Sequence, residues 1–369
     1  MLKVTKTALV VSALTLGSIS VAYAAPYYNA HITTSKGSTY NFRQVEDVTT
    51  LRSLANYGAV FNAGLDVNQS TVDVISSRAF AGNKNMEVWA TPVYSKSSRS
   101  YTTKADGSYD VDVSLTGINL GFEKMNQSNY GFGALFNFGK VSTDGEGRAR
   151  YTENDADYFS FGIYGMVNWG KLNVTADMVL SQVSNDLEGD IKSNAVLSKV
   201  KADVDTNVFS MGVTGNYTFN TAFADITPHV ALRYTSLELD GTDYDVTIPN
   251  DVISRNSIKS VDIFSIPVGV TVSKSIQTGD WSLAPKFDVT LTSNFGDDEY
   301  TYTTKVHSRD LANPDFTEDQ KFIDSFTYGA TLGLDAKYKD CLDLGLGVGY
   351  TGSSDSDKFN VTANVGYKF

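Results

Sequence analysis

One histidine of this sequence has charged neighbours at a spacing that could support acid and base chemistry. His229 follows Asp225 by four residues and precedes Arg233 by four. Residues four apart in a strand point to the same face, so the three side chains would share one surface. A histidine activates a nucleophile only when the two lie side by side. No sequence pattern places a particular serine beside His229, so we expect a protein that is not an enzyme.

The same residues have a second interpretation, as part of a charge network inside a barrel. Charges of both signs lie on strand positions opposite to the apolar face. There they would bind an inserted segment or line a watery pore, where a charge is far less costly than on a lipid-facing surface. The predicted network consists of Asp225, His229, Arg233, Lys286, Asp288, Asp335 and Lys337.

The composition excludes several other kinds of chemistry. The chain has 369 residues, a net charge of −12, three histidines and a single cysteine, Cys341. One cysteine and scattered histidines do not suit a zinc site or a disulfide scaffold, and an acidic chain binds nucleic acid poorly. The acidic loops could bind divalent cations, but they lack the spacing of an EF-hand loop, and we interpret them as solvated charge. We expect no cofactor and no metal.

The strands that must position these residues alternate between apolar and polar positions. In the clearest case, from Lys358 to Phe369, every second residue is apolar or aromatic. A period of two predicts β-strands. Strands of soluble proteins average about 5–6 residues, whereas a tilted strand needs about 9–11 to cross a bilayer. The predicted strands are 86–101, 111–124, 130–141, 158–169, 171–183, 207–219, 222–238, 259–275, 281–293, 323–338, 341–351 and 358–369.

The connections between these twelve strands alternate between short and long. The long ones are predicted as loops at 102–110, 142–157, 184–206, 239–258, 294–322 and 352–357. Short turns at one rim and long loops at the other are typical of outer-membrane barrels, with the turns in the periplasm. We therefore predict an all-β fold, a twelve-stranded antiparallel transmembrane β-barrel over residues 86–369, in contact with outer-membrane lipid. The alternative, a soluble β-sandwich, would need a second sheet to cover each apolar face.

Two irregularities interrupt this pattern. The apolar positions of the segment 111–124 change phase, which predicts a β-bulge near Thr116 and Gly117. Proline is disfavoured inside strands because it lacks an N–H donor. Three prolines lie near predicted strand starts at the periplasmic rim, but Pro267 lies within a strand, and the pattern does not account for it. The four prolines are Pro92, Pro228, Pro267 and Pro285.

The chain begins with the features of a secretory signal peptide. Two lysines lie within residues 1–6, an uncharged and mostly apolar run covers 7–21, and Ala22, Tyr23 and Ala24 form a cleavage pattern. We predict a signal peptide over residues 1–24 and export of the remainder. Residues 25–43 form a short N-terminal segment with no clear period.

Residues 44–85 precede the strands and have a different period. Val45, Leu51 and Leu54 belong to a series of apolar residues spaced three and four apart, which predicts a helix. The sequence from Gly64 to Asp66 should weaken this helix, and a second helical piece is predicted over about 68–80. From Val45 to Ala63 the first piece would be roughly 28 Å long.

In its order of parts the chain resembles the translocator domain of autotransporters, the type V secretion proteins. A polar helical segment leads into Val-Trp-Ala-Thr-Pro-Val-Tyr-Ser at 88–95, and twelve strands follow, the last with Tyr367, Lys368 and Phe369. The resemblance covers about 44–369. It implies a barrel whose lumen holds the preceding helix as a plug, and an exported passenger before that helix.

The resemblance also implies roles for individual residues. The plug would include Val45, Leu51, Arg52, Leu54, Asp66, Asp73 and Arg78, of which the charged ones are candidate partners of the lumen network. Tyr367 and Phe369 match the signal that the barrel-assembly machinery reads, although Asn364 stands where the family has glycine. Periplasmic chaperones are implied as further partners.

The expected function is that of a translocator unit that anchors or exports an N-terminal segment at the cell surface. Residues 25–43 are too few to form an adhesin or protease domain, so no passenger domain is expected. Two alternatives remain open. One is a small outer-membrane porin whose lumen charges select solutes, and the other is an adhesin-like protein that binds a surface partner through its acidic loops.

Overall fold

The computed structural model describes most of the chain after residue 28. The described ranges are 29–33, 39–43, 54–79, 86–103, 107–126, 129–147, 149–193, 196–240, 242–246, 252–258, 260–308, 315–339 and 341–369. The predicted signal peptide and the predicted plug residues Val45, Leu51 and Arg52 lie outside them.

Antiparallel strands and one long helix make up the described fold. The elements are β1 (Asn29–Thr33), β2 (Thr39–Arg43), α1 (Val60–Ala79), β3 (Met86–Thr103), β4 (Gly107–Met125), β5 (Tyr130–Gly145), β6 (Thr152–Trp169), β7 (Leu172–Ser193), β8 (Val196–Tyr217), β9 (Phe219–Asn220), β10 (Asp225–Leu239), β11 (Thr242–Val246), β12 (Val252–Ile258), β13 (Val261–Ser273), β14 (Ile276–Thr278), β15 (Trp281–Gly296), β16 (Glu299–Ser308), β17 (Asp315–Lys321), β18 (Phe326–Tyr338), β19 (Leu342–Gly352) and β20 (Ser356–Lys368). β1 and β2 form a separate hairpin.

The remaining strands form one closed barrel, because β20 pairs with β3. The short strands β9, β11, β12, β14, β16 and β17 prolong longer neighbours at the two ends, so twelve strands build the wall. The prediction of a twelve-stranded antiparallel barrel is confirmed. We call the end with the connections 126–129, 170–171, 221–224, 279–280 and 339–341 the turn end, and the opposite end the hairpin end.

Apolar side chains cover the outer surface of the middle of the barrel. Phe132, Leu232, Leu332 and Leu346 are each more than half exposed. No second sheet covers this surface within the described ranges. An apolar band of this size is stable only against lipid, which excludes the soluble sandwich.

Most of the segments predicted as long loops are instead strands. β7 and β8 extend through much of 184–206, β11 and β12 lie within 239–258, and β16 and β17 lie within 294–322. In the extensions of β7 and β8, the outward positions are mostly acidic and polar, such as Ser184, Asp186 and Asp203, which made the sequence resemble loops. Their inward positions, such as Leu187, Ala202 and Val204, are buried. Burial of these side chains stabilises the strands beyond the membrane.

The predicted bulge at Thr116 and Gly117 is wrong. β4 pairs without a break from Gly107 to Met125, and its odd-numbered residues point inward throughout. Instead, the apolar residues move from the inward face of the strand to its outward face. Val113 and Leu115 face an apolar interior at the hairpin end, whereas Leu120 and Phe122 face outward in the apolar band. A strand that leaves the membrane exchanges a lipid surface for water, so its apolar face moves from outside to inside.

Each of the four prolines in the barrel strands breaks the strand pairing on one side only. Pro267 pairs with Thr292 of β15, while the pairing of β13 with β10 skips Pro267 and Ile266. Pro92 pairs with Ile118 of β4, while the pairing of β3 with β20 skips Thr91 and Pro92. Proline has no N–H, so a gap of two residues is the consequence on the side where that donor would point.

The helix inside the barrel breaks at a different place from the predicted one. A helical turn at 54–57 ends at Gly58 and at Ala59, whose φ of 49° is unusual for a residue with a side chain, and α1 then continues through 64–66 without a break. A Cβ on Gly58 would lie 2.2 Å from Leu187, and one on Gly64 would lie 2.6 Å from Thr206. Both glycines therefore serve close packing against the wall. Among the described residues, no helix has the length and apolar character to cross a membrane.

Candidate functional site

The lumen of the barrel is closed at the hairpin end by a group of apolar and aromatic side chains, which we call the apolar seal. Phe61 of α1 stacks on Tyr300 with ring centroids 3.9 Å apart and lies 5.6 Å from Phe322. Tyr300 donates a hydrogen bond to Asn56 Oδ1 at 2.6 Å. The seal consists of Leu54, Tyr57, Phe61, Tyr109, Leu237, Tyr300, Tyr302 and Phe322, all of which are buried.

One side of α1 packs directly on the wall formed by β4, β6, β7 and β8. Most contacts on this side are close apolar packing and neutral hydrogen bonds, and Arg78 adds a charged contact to Glu123 of β4. Asn68 Nδ2 donates to Ser181 Oγ at 3.3 Å, and Asn137 Nδ2 donates to Thr71 Oγ1 at 2.9 Å. The predicted position of the helix inside the lumen is therefore observed for residues 54–79.

The other side of α1 faces a polar cavity of about 860 Å³. Asp66, Gln69 and Asp73 of α1 form one face of it, and hydroxyl, amide and charged side chains of β10, β13, β15 and β18–β20 form the opposite face. Phe322 and Ile323 bound the cavity towards the hairpin end. The lumen thus contains a helix and a polar space beside it, below an apolar seal.

Arg78 in the last turn of α1 is the centre of a buried cluster at the turn end. Its Nη2 contacts the carboxylate of Glu87 and lies 3.1 Å from Glu123 Oε1. Its Nη1 donates to Asn364 Oδ1 at 3.1 Å, and its guanidinium carbon lies 5.0 Å from the centre of the Trp89 ring. The arginine therefore joins the helix to both ends of the barrel sequence.

The two aspartates of α1 have different partners. Asp66 accepts a hydrogen bond from Ser97 Oγ at 2.6 Å and one from Lys358 Nζ at 2.9 Å. Asp73 accepts a hydrogen bond from Gln69 of its own helix at 2.6 Å. Leu54, the remaining described plug residue, lies in the apolar seal.

The residues of the predicted lumen network lie in the lumen, mostly as separate pairs. His229 Nε2 lies 2.8 Å from Asp288 Oδ2, and Thr271 and Thr290 donate to the same carboxylate. Lys286 Nζ lies 2.9 Å from Asp335 Oδ2.

Asp225, His229 and Arg233, which the spacing places on one strand face, do not contact one another as one group. Arg233 donates two hydrogen bonds to the carboxylate of Asp177 of β7, from Nη1 and from Nη2, each at 2.8 Å. Asp225 accepts a hydrogen bond from Asn220 at 2.8 Å. Lys337 lines the polar cavity.

Several charged partners were missed from the sequence. Asp177, Glu87, Glu123 and Lys358 each bind a predicted residue, and Lys368 pairs with Asp343 at 2.8 Å. The signal that could have found them is the alternation itself, since each lies on the inward face of its strand. The sequence does not say which strands stand opposite each other across the lumen.

A further charge cluster lies at the hairpin end around Asp324, which precedes β18. Asp324 accepts hydrogen bonds from Arg99 at 3.1 Å, Lys321 at 2.9 Å, Ser353 at 2.5 Å and Ser354 at 3.1 Å. Burial disfavours the ionised carboxylate, but the bonds from Lys321 and Ser353 and the charge of Arg99 outweigh it. The pKa of Asp324 therefore lies well below its usual range.

We expect Asp324→Asn to lower the free energy of unfolding at pH 7 by about 2 kcal/mol, because charged hydrogen bonds are lost. A lowered folded-state pKa stabilises the protein above the unfolded value, about 3.9, and this contribution disappears as the pH falls through the folded-state pKa. The difference between wild type and variant should be constant from pH 7 to about 5 and shrink below about 4. Urea unfolding across this pH range measures it, with the exposed Asp319→Asn as control. A difference that already shrinks between pH 7 and 5 would contradict the assignment.

Among the described residues, the candidate histidine and the acidic side chains of the lumen form pairs and not a metal-binding group. His229 contacts a carboxylate, and no group of three or more His, Cys, Asp or Glu side chains in the described ranges could hold a metal ion. What the arrangement can do is hold a helix in the lumen by polar contacts while an apolar group closes one end.

Comparisons with known proteins also identify a β-barrel that belongs to a secretion family. The family model described as the autotransporter beta-domain matches residues 88–349. A comparison with curated protein sequences finds no match.

Solved structures that are similar in fold include three from autotransporters. The translocator domain of the autotransporter NalP from Neisseria meningitidis has a TM-score of 0.66 at 13% identity, with 86% of this chain and 99% of that chain covered. The beta domain of the Bordetella autotransporter BrkA has a TM-score of 0.53 at 14% identity, covering 77% and 100%. The transport unit of AIDA-I from Escherichia coli has 0.51 at 14%, covering 77% and 90%.

Proposed function

The chain belongs to the autotransporter β-domain family. We propose that it acts as an outer-membrane translocator unit. The barrel brings the segment that precedes α1 to the cell surface and anchors it there. The porin and adhesin-like alternatives are not favoured by the family match or by the similar structures. The fold and the family fit a non-enzymatic role.

The observation that carries this proposal is the direction of α1. Its first residues lie in the apolar seal at the hairpin end, and its last turn lies beside Glu87 at the start of β3. Long hairpins face the outside in barrels of this kind, and short turns face the periplasm. A chain that reaches α1 from the seal therefore comes from the cell surface. This favours exposure of the segment 25–43 outside the cell.

The test is to label cysteines on intact cells with a maleimide that does not cross the membrane. Ser35→Cys, in a Cys341→Ser background, should be labelled on intact cells, because residue 35 precedes the helix. The matched control is the native Cys341, which lies at the turn end and should be labelled only after the outer membrane is permeabilised. If Ser35→Cys were labelled only in permeabilised cells, the proposal would be wrong.

The remaining domain and partner assignments belong to the same proposal. Residues 1–24 act as a cleaved signal peptide, 44–85 as plug and linker, and 86–369 as the barrel. Periplasmic chaperones deliver the exported chain, and the barrel-assembly machinery inserts it. Tyr367 and Phe369, whose rings are exposed and 5.2 Å apart at the turn end, act as the assembly signal.

We expect Phe369→Ala to reduce the amount of heat-modifiable barrel in outer membranes several-fold, because the assembly machinery reads this aromatic side chain. Gel mobility of unheated and heated membrane samples measures the folded fraction. Phe359→Ala is the control, because Phe359 is another outward phenylalanine of β20. An equal loss in both variants would point to lost lipid contact instead of a signal.

A further inference from the structure

The line where the barrel closes, between β3 and β20, is a discontinuous junction, which we call the seam. Its register runs from Ser356 opposite Arg99 to Lys368 opposite Glu87, and the pairing is absent where Thr91 and Pro92 face residues 363 and 364. Pro92 cannot donate a backbone hydrogen bond. β3 and β20 are the first and last strands of the barrel, so no turn connects them.

The helix binds both strands of the seam at this gap. Arg78 contacts Glu87 of β3 and donates to Asn364 of β20 at 3.1 Å. Thr91 Oγ1 donates to the same Asn364 oxygen at 3.0 Å. Asn364 and Thr91 are the opposed residues whose backbone pairing is missing. Side chains therefore connect the two strands where the backbone does not.

Asp66 makes a second connection, closer to the hairpin end. One carboxylate oxygen accepts a hydrogen bond from Ser97 of β3, and the other accepts one from Lys358 of β20. Ser97 and Lys358 are directly opposed in the seam register. A single carboxylate of α1 thus bridges one cross-strand pair.

Most of the charged contacts of α1 lie on the seam, and Arg78 also lies 3.1 Å from Glu123 of β4, the strand next to β3. Elsewhere on the wall, α1 uses apolar packing and neutral hydrogen bonds such as that of Asn68 to Ser181. Two of the three charged residues of α1, Asp66 and Arg78, bind across the seam, and hydrogen bonds to charged groups are about twice as strong as neutral ones. Without the helix, Glu87 and Lys358 would lose these buried partners.

We propose that α1 is a positioning element for barrel closure, in which Asp66 and Arg78 hold β3 and β20 together across the gap at Pro92. Departure of the helix from the lumen and loosening of the seam are then one coupled event. The inference goes beyond the proposed transport function, since it concerns closure of the barrel whether or not a passenger is carried.

Hydrogen exchange of the folded full-length barrel in lipid nanodiscs, read by mass spectrometry, tests this inference. In Asp66→Asn and Arg78→Gln, peptides covering 91–97 and 358–364 should exchange at least about tenfold faster, because a charged bridge is lost. Peptides of β7 and β8 should not change. Asn68→Ala removes a contact on the wall side and is the matched control, with no expected effect at the seam.

A further double variant makes the result specific. Asp66→Lys combined with Lys358→Asp restores the ion pair with its charges exchanged and should return seam exchange towards the wild-type rate. If Arg78→Gln does not fold, Asp66→Asn decides the matter, since it keeps the shape of the side chain. The inference is overturned if seam peptides are unchanged in Asp66→Asn. It is equally overturned if Asn68→Ala accelerates them as much, because α1 would then be only a space-filling plug.

Discussion

Arg233→Met is expected to lower the free energy of unfolding of the barrel by about 3–5 kcal/mol, because it leaves a buried carboxylate without its counter-charge. The side chain of Asp177 is 2% exposed, and both of its oxygens accept hydrogen bonds from Arg233 at 2.8 Å. Urea unfolding of the refolded barrel in lipid vesicles, followed by the fluorescence of Trp89, Trp169 and Trp281, measures the loss.

The double variant Asp177→Leu with Arg233→Met is the control for this prediction. Replacement of both members of a buried ion pair by apolar residues is often neutral, whereas removal of one member is costly. The double variant should therefore regain most of the stability that Arg233→Met loses. A double variant as unstable as the single one would show that the arginine stabilises the barrel by packing and not by charge.

Phe61→Ala is expected to open the apolar seal and to make the barrel conduct ions. Phe61 is 1% exposed and packs between Tyr300 and Phe322. Truncation of a buried phenylalanine costs about 3–5 kcal/mol. The void would adjoin the polar cavity, whose lining already includes Phe322 and Asn62. Planar-bilayer recordings should show steady conductance for the variant and a closed state for wild type.

Ile75→Ala separates loss of packing from loss of the seal. Ile75 is buried on the same helix but faces the wall near Gly162, away from the hairpin end. Its truncation should cost about 2–5 kcal/mol without producing conductance. Equal conductance in both variants would mean that loosening of the helix anywhere opens the lumen. Absence of conductance in Phe61→Ala would show that the seal is not the barrier to ions.

The architecture was predictable because its signals are local in the sequence. Alternation such as that from Lys358 to Phe369 depends only on which way successive side chains point in a strand. The same alternation placed Asp225, His229 and Arg233 on the inward face. It could not predict their partners, because Asp288 and Asp177 lie on strands brought near by barrel closure.

The ends of the elements were predicted less well, because tertiary packing decides them. Gly64 was expected to weaken the helix, yet it lies within α1 and allows close approach to Thr206. The helix breaks at Gly58, where Leu187 leaves no room for a Cβ. Both glycines lie against the wall, and the positive φ of Ala59 marks the one beside which the helix breaks.

By itself, the sequence determined the number of strands, the apolar band and the presence of a helix before the barrel, since each depends on residue types at a fixed period. Only the tertiary structure decided how far the strands continue and which charges meet. Val113 and Leu115 interrupt the expected alternation because apolar side chains face lipid within the membrane and the interior beyond it. Arg78 reaches Glu87 and Asn364 because closure brings the first and last strands together beneath the helix.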